Sequence, residues 1–189
     1  MTIKTLIAAT ATSALLAGGA LAGSHMSNPT VGGAEMSPEM TIVENASNAP
    51  NLTTLVAAVQ AADLVETLSG EGPFTVFAPT DEAFGMLPAG TVEDLVKPEN
   101  KEQLTQILTC HVVAADAMSD AIGQMIADDG GEHDVATVGG CTLKAAMDGD
   151  SIVLTDEMGN TATVTTADVK QSNGVVHVID HVLLPKAAS

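Results

Sequence analysis

Apolar residues recur at helical intervals through the first half of the chain and at alternating positions through the second. In PNLTTLVAAVQAADLVETLSG, Leu52, Leu55, Val56, Val59, Ala62 and Val65 fall on one helix face, with Asn51 as N-cap and Gly70 as stop. The alternation in PFTVFAP predicts a short strand, after which Thr80 caps a short helix over DEAFGML that Pro88 ends. Thr91-Val92-Glu93-Asp94 has the form of a capping box, and Pro98 suits the first turn of the next helix, ENKEQLTQILT. Its buried stripe is Leu104, Ile107 and Leu108, and HVV follows as a strand. MSDAIGQMIADD reads as a further helix that stops at Gly130-Gly131.

From Thr142 onward the period changes to two. TLKAAM, SIVLT, TATVTTADV and GVVHVIDHVLL are β runs, separated by turn signals at Asp148-Gly149-Asp150 and Glu157-Met158-Gly159-Asn160. Helices followed by an antiparallel meander indicate an α+β domain built on one packed sheet system.

The N-terminal residues need separate treatment. MTIKTLIAATATSALLAGGALA, residues 1–22, combines Lys4, an Ala- and Leu-rich apolar run and the small-x-small ending Ala20-Leu21-Ala22, the form of a cleaved signal peptide. Residues 23–39 are Ser-, Gly- and Pro-rich without apolar periodicity and read as a flexible leader, so the globular domain spans residues 40–187. An exported protein, periplasmic or secreted, is the expectation.

Charge narrows the partners. The chain has 24 acidic residues against 6 lysines and no arginine, a formal net charge of −18. Such a surface repels phosphate backbones and anionic lipid, which argues against nucleic acid and peripheral membrane attachment and favours cationic partners; membrane insertion of the mature chain is not expected either. Three Phe are the only aromatics, and all lie within FTVFAPTDEAF, from Phe74 to Phe84.

Candidate chemistry is sparse. The acidic stretch Asp128-Asp129-Gly130-Gly131-Glu132-His133-Asp134 and the Asp148-Gly149-Asp150 turn offer oxygen ligands, but Ile152 stands where a calcium loop needs its third ligand. Gly149-Asp150-Ser151-Ile152 has the outline of an esterase nucleophile block, yet Ser151 falls in a hairpin and lacks a downstream Asp-x-x-His. His111, His177 and His181 sit in apolar β runs, where half-buried imidazoles bonded to backbone are the ordinary case, while His133 lies among acids in a loop. Two cysteines in an exported chain, Cys110 and Cys141, suggest a disulfide worth roughly 3–4 kcal/mol, with two buried thiols as the alternative.

Three ordered blocks resemble the fasciclin domain: FTVFAPTDEAF, then Ile107-Leu108-Thr109-Cys110-His111-Val112-Val113, then NGVVHVIDHVLLP from Asn173 to Pro185. The resemblance implies a wedge of two β-sheets with several packed helices. It makes Phe74, Phe77, Pro79, Thr80, Asp81 and Phe84 a structural box, a joint whose aromatic bulk fills space between sheet and helices. It makes Asn173, Gly174, His177, Asp180 and Pro185 the C-terminal box. It also implies a monomeric, non-catalytic cell-adhesion module without a cofactor, whose partner is a cell-surface or extracellular protein or glycan. The family's Tyr-His pair falls on Cys110 and His111, so His111 is the one binding candidate carried over, and the missing tyrosine sets this chain apart from receptor-binding members. The alternative is a periplasmic small-ligand or cation-binding protein that uses the acidic loops.

Overall fold

The computed structural model describes residues 29–186, so the expected signal peptide lies outside the described residues. The first described segment corrects the expectation of a flexible leader as far as residue 39. Strands β1 (Thr30–Val31) and β2 (Ala34–Glu35) form a hairpin, and Val31 and Met36 are buried in the core. Two isolated apolar residues among Ser, Gly and Pro give no period to detect, yet each fills a core position.

Helices α1 (Ile42–Asn48), α2 (Thr53–Ala61) and α3 (Val65–Leu68) come next. The single helix expected from residue 51 to 69 is therefore two. Asp63 takes the left-handed conformation (φ 56°), its N–H bonds the Gln60 carbonyl, and the Leu64 N–H reaches back to the Val59 carbonyl at 3.0 Å. This is a Schellman stop, ordinarily made by glycine. With Asp in that place, the apolar stripe runs on past the break. Asn51 is not the cap of α2 either; Leu52 holds that position without a side-chain bond.

Strand β3 (Phe74–Pro79) and helix α4 (Asp81–Gly85) follow as expected, and Thr80 Oγ1 accepts the Ala83 N–H. Helix α5 (Thr91–Leu95) lacks the expected capping box, because Gly90 at φ 87° is its N-cap. The box is on α1 instead, where Thr41 Oγ1 accepts the Glu44 N–H and Glu44 Oε2 accepts the Thr41 N–H. A 3-10 turn, Pro98–Asn100, leads into α6 (Lys101–Cys110), whose C-cap is His111. Then come β4 (Val112–Val113), α7 (Ser119–Asp128), β5 (Glu132–Ala136), β6 (Thr142–Asp148), β7 (Ser151–Thr155), β8 (Thr161–Gln171) and β9 (Gly174–Ile179).

Seven strands pair in the order β4-β3-β9-β8-β7-β6-β5, with β3 and β9 parallel and the other neighbours antiparallel. Strand β8 makes the wedge. It pairs with β7 through residues 161–163 and with β9 through residues 164–171, and two register irregularities between Val164 and Val169 bend it. Bulges of this kind add twist and redirect a strand. The two sheets are thus halves of one ribbon folded about β8.

The ends of the ribbon meet at one corner. The Val138 N–H, just beyond β5, donates to the Val112 carbonyl of β4 at 2.8 Å. Beside that bond, Cys110 and Cys141 form a disulfide with Cα atoms 5.4 Å apart. The bridge fastens the end of α6 to the β5–β6 turn.

Two apolar clusters result. One lies between the helices and one face of β3 and β9, gathering Leu55, Val59, Leu104, Leu108, Val76, Ala78, Val176 and Val178. The other fills the wedge with Phe77, Ile122, Ile126, Leu143, Leu154, Val164, Ile179 and Leu183. The phenylalanines divide between them. Phe74 and Phe84 pack with the helices, as the joint requires, whereas Phe77 projects from the opposite face of β3 and stacks on His177, ring centroids 5.7 Å apart.

Candidate functional site

The side chains of the three resembling blocks meet around β3, β9 and the extended segment 180–186. His111, at the end of α6, is buried at 2 % exposure. Its Nδ1 lies 2.8 Å from the Ile107 carbonyl, and its Nε2 accepts the Leu183 N–H at 2.9 Å. A carbonyl only accepts and an amide N–H only donates, so the ring is neutral with its proton on Nδ1. Burial lowers the imidazole pKa to about 4, against smaller upward pulls from the Ile107 carbonyl and Asp156. The enclosed ring is out of reach of a surface partner, against its expectation as a binding residue and in keeping with that of an imidazole bonded to backbone: His111 anchors the C-terminal segment.

The neighbouring backbone groups of that segment are held the same way. The Leu184 N–H goes to Asp156 Oδ2 at 2.9 Å, and the Lys186 N–H goes to Glu157 Oε2 at 3.0 Å. Pro185, half-buried between them, has no N–H to satisfy. Asp156 also accepts the Met158 and Asn160 N–H groups through Oδ1 and the Asn160 side-chain amide through Oδ2. It is the residue that sequence reasoning missed. Its signal was present in the turn Asp156-Glu157-Met158-Gly159-Asn160, since Asp bonds backbone two residues on in such turns.

His177 is wholly buried. Nε2 donates to the Ala117 carbonyl at 2.8 Å, and Nδ1 accepts the Asp168 N–H at 3.3 Å. Burial lowers its pKa, outweighing the pulls of Ala117 and Asp168. Asp168, at φ 57°, turns its carboxylate to Ser119 and accepts both its N–H (2.7 Å) and its hydroxyl. Ser119, Asp168 and His177 are close together, but the imidazole bonds backbone and not the serine. They form a scaffold network, not a nucleophile and base.

Asn173 Oδ1 accepts the Ile42 N–H at 3.1 Å, and its amide donates to the Leu68 and Gly70 carbonyls at 2.7 and 3.0 Å. One side chain thus ties α1 and the end of α3 to the sheet. At Gly174 a Cβ would overlap the Phe74 carbonyl oxygen, so the close approach of β3 to β9 requires glycine. Asp180 Oδ1 accepts the Thr163 N–H at 2.7 Å and pairs with His181 Nδ1 at 2.8 Å. These bonds outweigh burial and hold its carboxyl below the usual range. His181 corrects its expectation: β9 ends at Ile179, and the ring is half-exposed beside Asp180.

Asp81 bonds outside its own helix. Its carboxylate accepts the Thr54 N–H (2.8 Å) and the Thr53 hydroxyl (2.7 Å) at the start of α2, while the Asp81 N–H donates to the Asn51 carbonyl. It caps α2 from a distance and leaves α4 to Thr80. Burial raises its pKa, but those bonds outweigh burial and the net shift is downward.

The acidic segment is not a loop. Glu132, His133 and Asp134 belong to β5, whose only strongly apolar residue is Val135, too weak a pattern to register as a strand. Among the described residues, no three His, Cys, Asp or Glu side chains converge as a metal site. Asp148-Gly149-Asp150 makes the expected hairpin turn, with Asp148 opposite Ser151.

The model of the fasciclin domain matches residues 50–185. The chain belongs to the fasciclin-domain family. Protein sll1483 of Synechocystis sp. is 47% identical over 180 residues, covering 88% of this chain and 93% of that one. The cell surface glycolipoprotein MPB83 of Mycobacterium bovis is 37% identical over 147 residues, 75% of this chain and 59% of that protein. A solved structure, the FAS1 domain pair of the insect cell adhesion molecule Fasciclin I, superposes with a TM-score of 0.68 at 17% identity, over 77% of this chain and 51% of that one. That neighbour supports the fold, an α+β wedge. No helix among the described residues is long and apolar enough to cross a membrane.

Proposed function

We propose that this protein is an exported, monomeric, non-catalytic adhesion module that binds a cell-surface or extracellular protein or glycan. The observation that carries the reading is where the family blocks point, which is inward. His111, His177 and Asn173 spend their polar side-chain atoms on backbone groups of the scaffold, and Asp156 and Asp168, outside the blocks, bond backbone and side chains of the same scaffold. Recognition therefore belongs to the exposed loops and to the uncovered side of β5–β8, where Thr142, Lys144, Thr161 and Thr165 face solvent. Membership of the fasciclin family and the likeness to a protein named for the cell surface support the same assignment.

The test is adhesion itself. The mature domain is immobilised and challenged with cells or envelope fragments across a salt series, beside an unrelated protein of equal acidity. Retention above that control at physiological salt is the expected result. Binding that tracks the control would reduce the effect to charge attraction and reject the adhesion reading. A cation-binding role for the acidic stretches predicts instead a saturable rise in Tm on calcium titration.

A further inference from the structure

The ribbon has one edge engaged and one left open. At the β4 edge, the Val112 carbonyl is already taken by Val138. At the other edge, β5 pairs, among the described residues, only with β6. Which of its backbone groups face outward follows from two bonds. The Thr137 N–H points inward to the Cys141 carbonyl of the β6 side, and the Val138 N–H points outward to Val112. Antiparallel ladders alternate strictly, so His133 and Val135 face β6, whereas the N–H and C=O groups of Glu132, Asp134 and Ala136 face outward. No hydrogen bond among the described residues engages those outward backbone groups, and all three residues are exposed. The outward ladder therefore has its first rung made, at Val138, and its next three free.

The side chains define what can complete it. Glu132 and Asp134 stand on the solvent face, and Lys144, across the strand pair from Asp134, pairs with Glu132 at 3.4 Å. Val135 leans the other way and packs against the wedge cluster. A strand added to β5 would set every second residue directly opposite Glu132 and Asp134, about 5 Å away, and the residues between them beside His133 and Val135. A second copy of β5 is rejected there, because its carboxylates would face these carboxylates.

We infer that the open edge of β5 is the docking surface of this module, and that its partner is an extended polypeptide segment with Lys or Arg at alternate positions and apolar residues between them. The segment adds as an eighth strand. This deepens the adhesion reading by naming the surface and the partner class.

The probe is a blocked peptide of alternating lysine and valine, and the control is the same peptide with proline for valine, which keeps the charge and removes strand pairing. At physiological salt the valine peptide is expected to bind at least about tenfold more tightly. It should slow amide exchange at Glu132, Asp134 and Ala136 while leaving the already paired His133 and Val135 unchanged. Asp134→Lys, an exposed change that leaves the β6 ladder intact, should weaken binding about tenfold. Ala136→Pro removes one outward N–H and should do the same, read only if its Tm stays near that of the parent. Equal binding of the two peptides, protection at other amides, or loss of binding at physiological salt overturns the inference and leaves the carboxylates as a guard against self-pairing. Cell retention separates the two proposals. Retention unaltered by Asp134→Lys sinks this surface and spares adhesion; peptide binding by a domain that retains no cells does the reverse.

Discussion

Acidification should unfold this protein through His111. The ring is neutral, fully enclosed and bonded at both nitrogens, so a proton added at Nε2 would point a donor at the Leu183 N–H. Its pKa falls from 6.5 in the open chain to about 4 in the fold because burial penalises the charged form. The unfolded chain therefore binds more protons between those values. The stabilising difference is full above pH 6.5 and is lost as pH falls through about 4. At 1.36 kcal/mol per unit, the loss reaches roughly 2 kcal/mol near pH 5 and roughly 3 kcal/mol near pH 4. That is a large share of the stability of a single domain. His177, lowered in the same direction by burial, adds to the loss. The assay is urea unfolding across this pH range, for the parent and for His111→Gln, whose amide can still donate to Ile107 and accept from Leu183 but does not titrate. The parent is expected to lead at neutral pH and to lose its lead on acidification, by about the amounts above. Parallel curves for the two proteins, or a His111 resonance titrating near 6.5 in the folded state, would refute the reasoning.

Other outcomes follow from the packing. Phe77→Ala removes an almost fully enclosed ring and its stack on His177, so thermal or urea unfolding should show a loss of about 3–5 kcal/mol. Replacing Cys110 and Cys141 together by Ala frees a loop of sequence separation 31 and should cost roughly 3–4 kcal/mol by the same measure. Asp156→Ala strands the Leu184 N–H and opens the β7–β8 turn, with an expected loss of about 2–3 kcal/mol, and amide exchange at Leu184 should rise with it. A loss below about 1 kcal/mol would show that water replaces the carboxylate.

Local chemistry determined much of this molecule from sequence alone. The strand before Thr80, the Asp148-Gly149-Asp150 hairpin and the stripe of α6 are each short-range patterns, with a period or turn residue to detect. Three motif blocks then pointed to the fold, because their residues hold the scaffold. What failed was everything decided across the fold. Asp63 ended a helix that its apolar stripe continued, because a left-handed residue leaves no mark on periodicity. Asp81 capped α2 and not its own helix, since the free N–H groups nearest its carboxylate belong to a segment distant in sequence. Val31 and Met36 entered the core from a stretch without pattern, and β5 paired on backbone bonds that its acidic side chains do nothing to announce. For His111 the sequence left a scaffold role and a contact role both open, and tertiary packing enclosed it in the first. Hydrophobic period and turn chemistry act over a few residues and are legible in order. Burial and the pairing of polar atoms are fixed by neighbours brought together from afar, and only the tertiary structure supplies them.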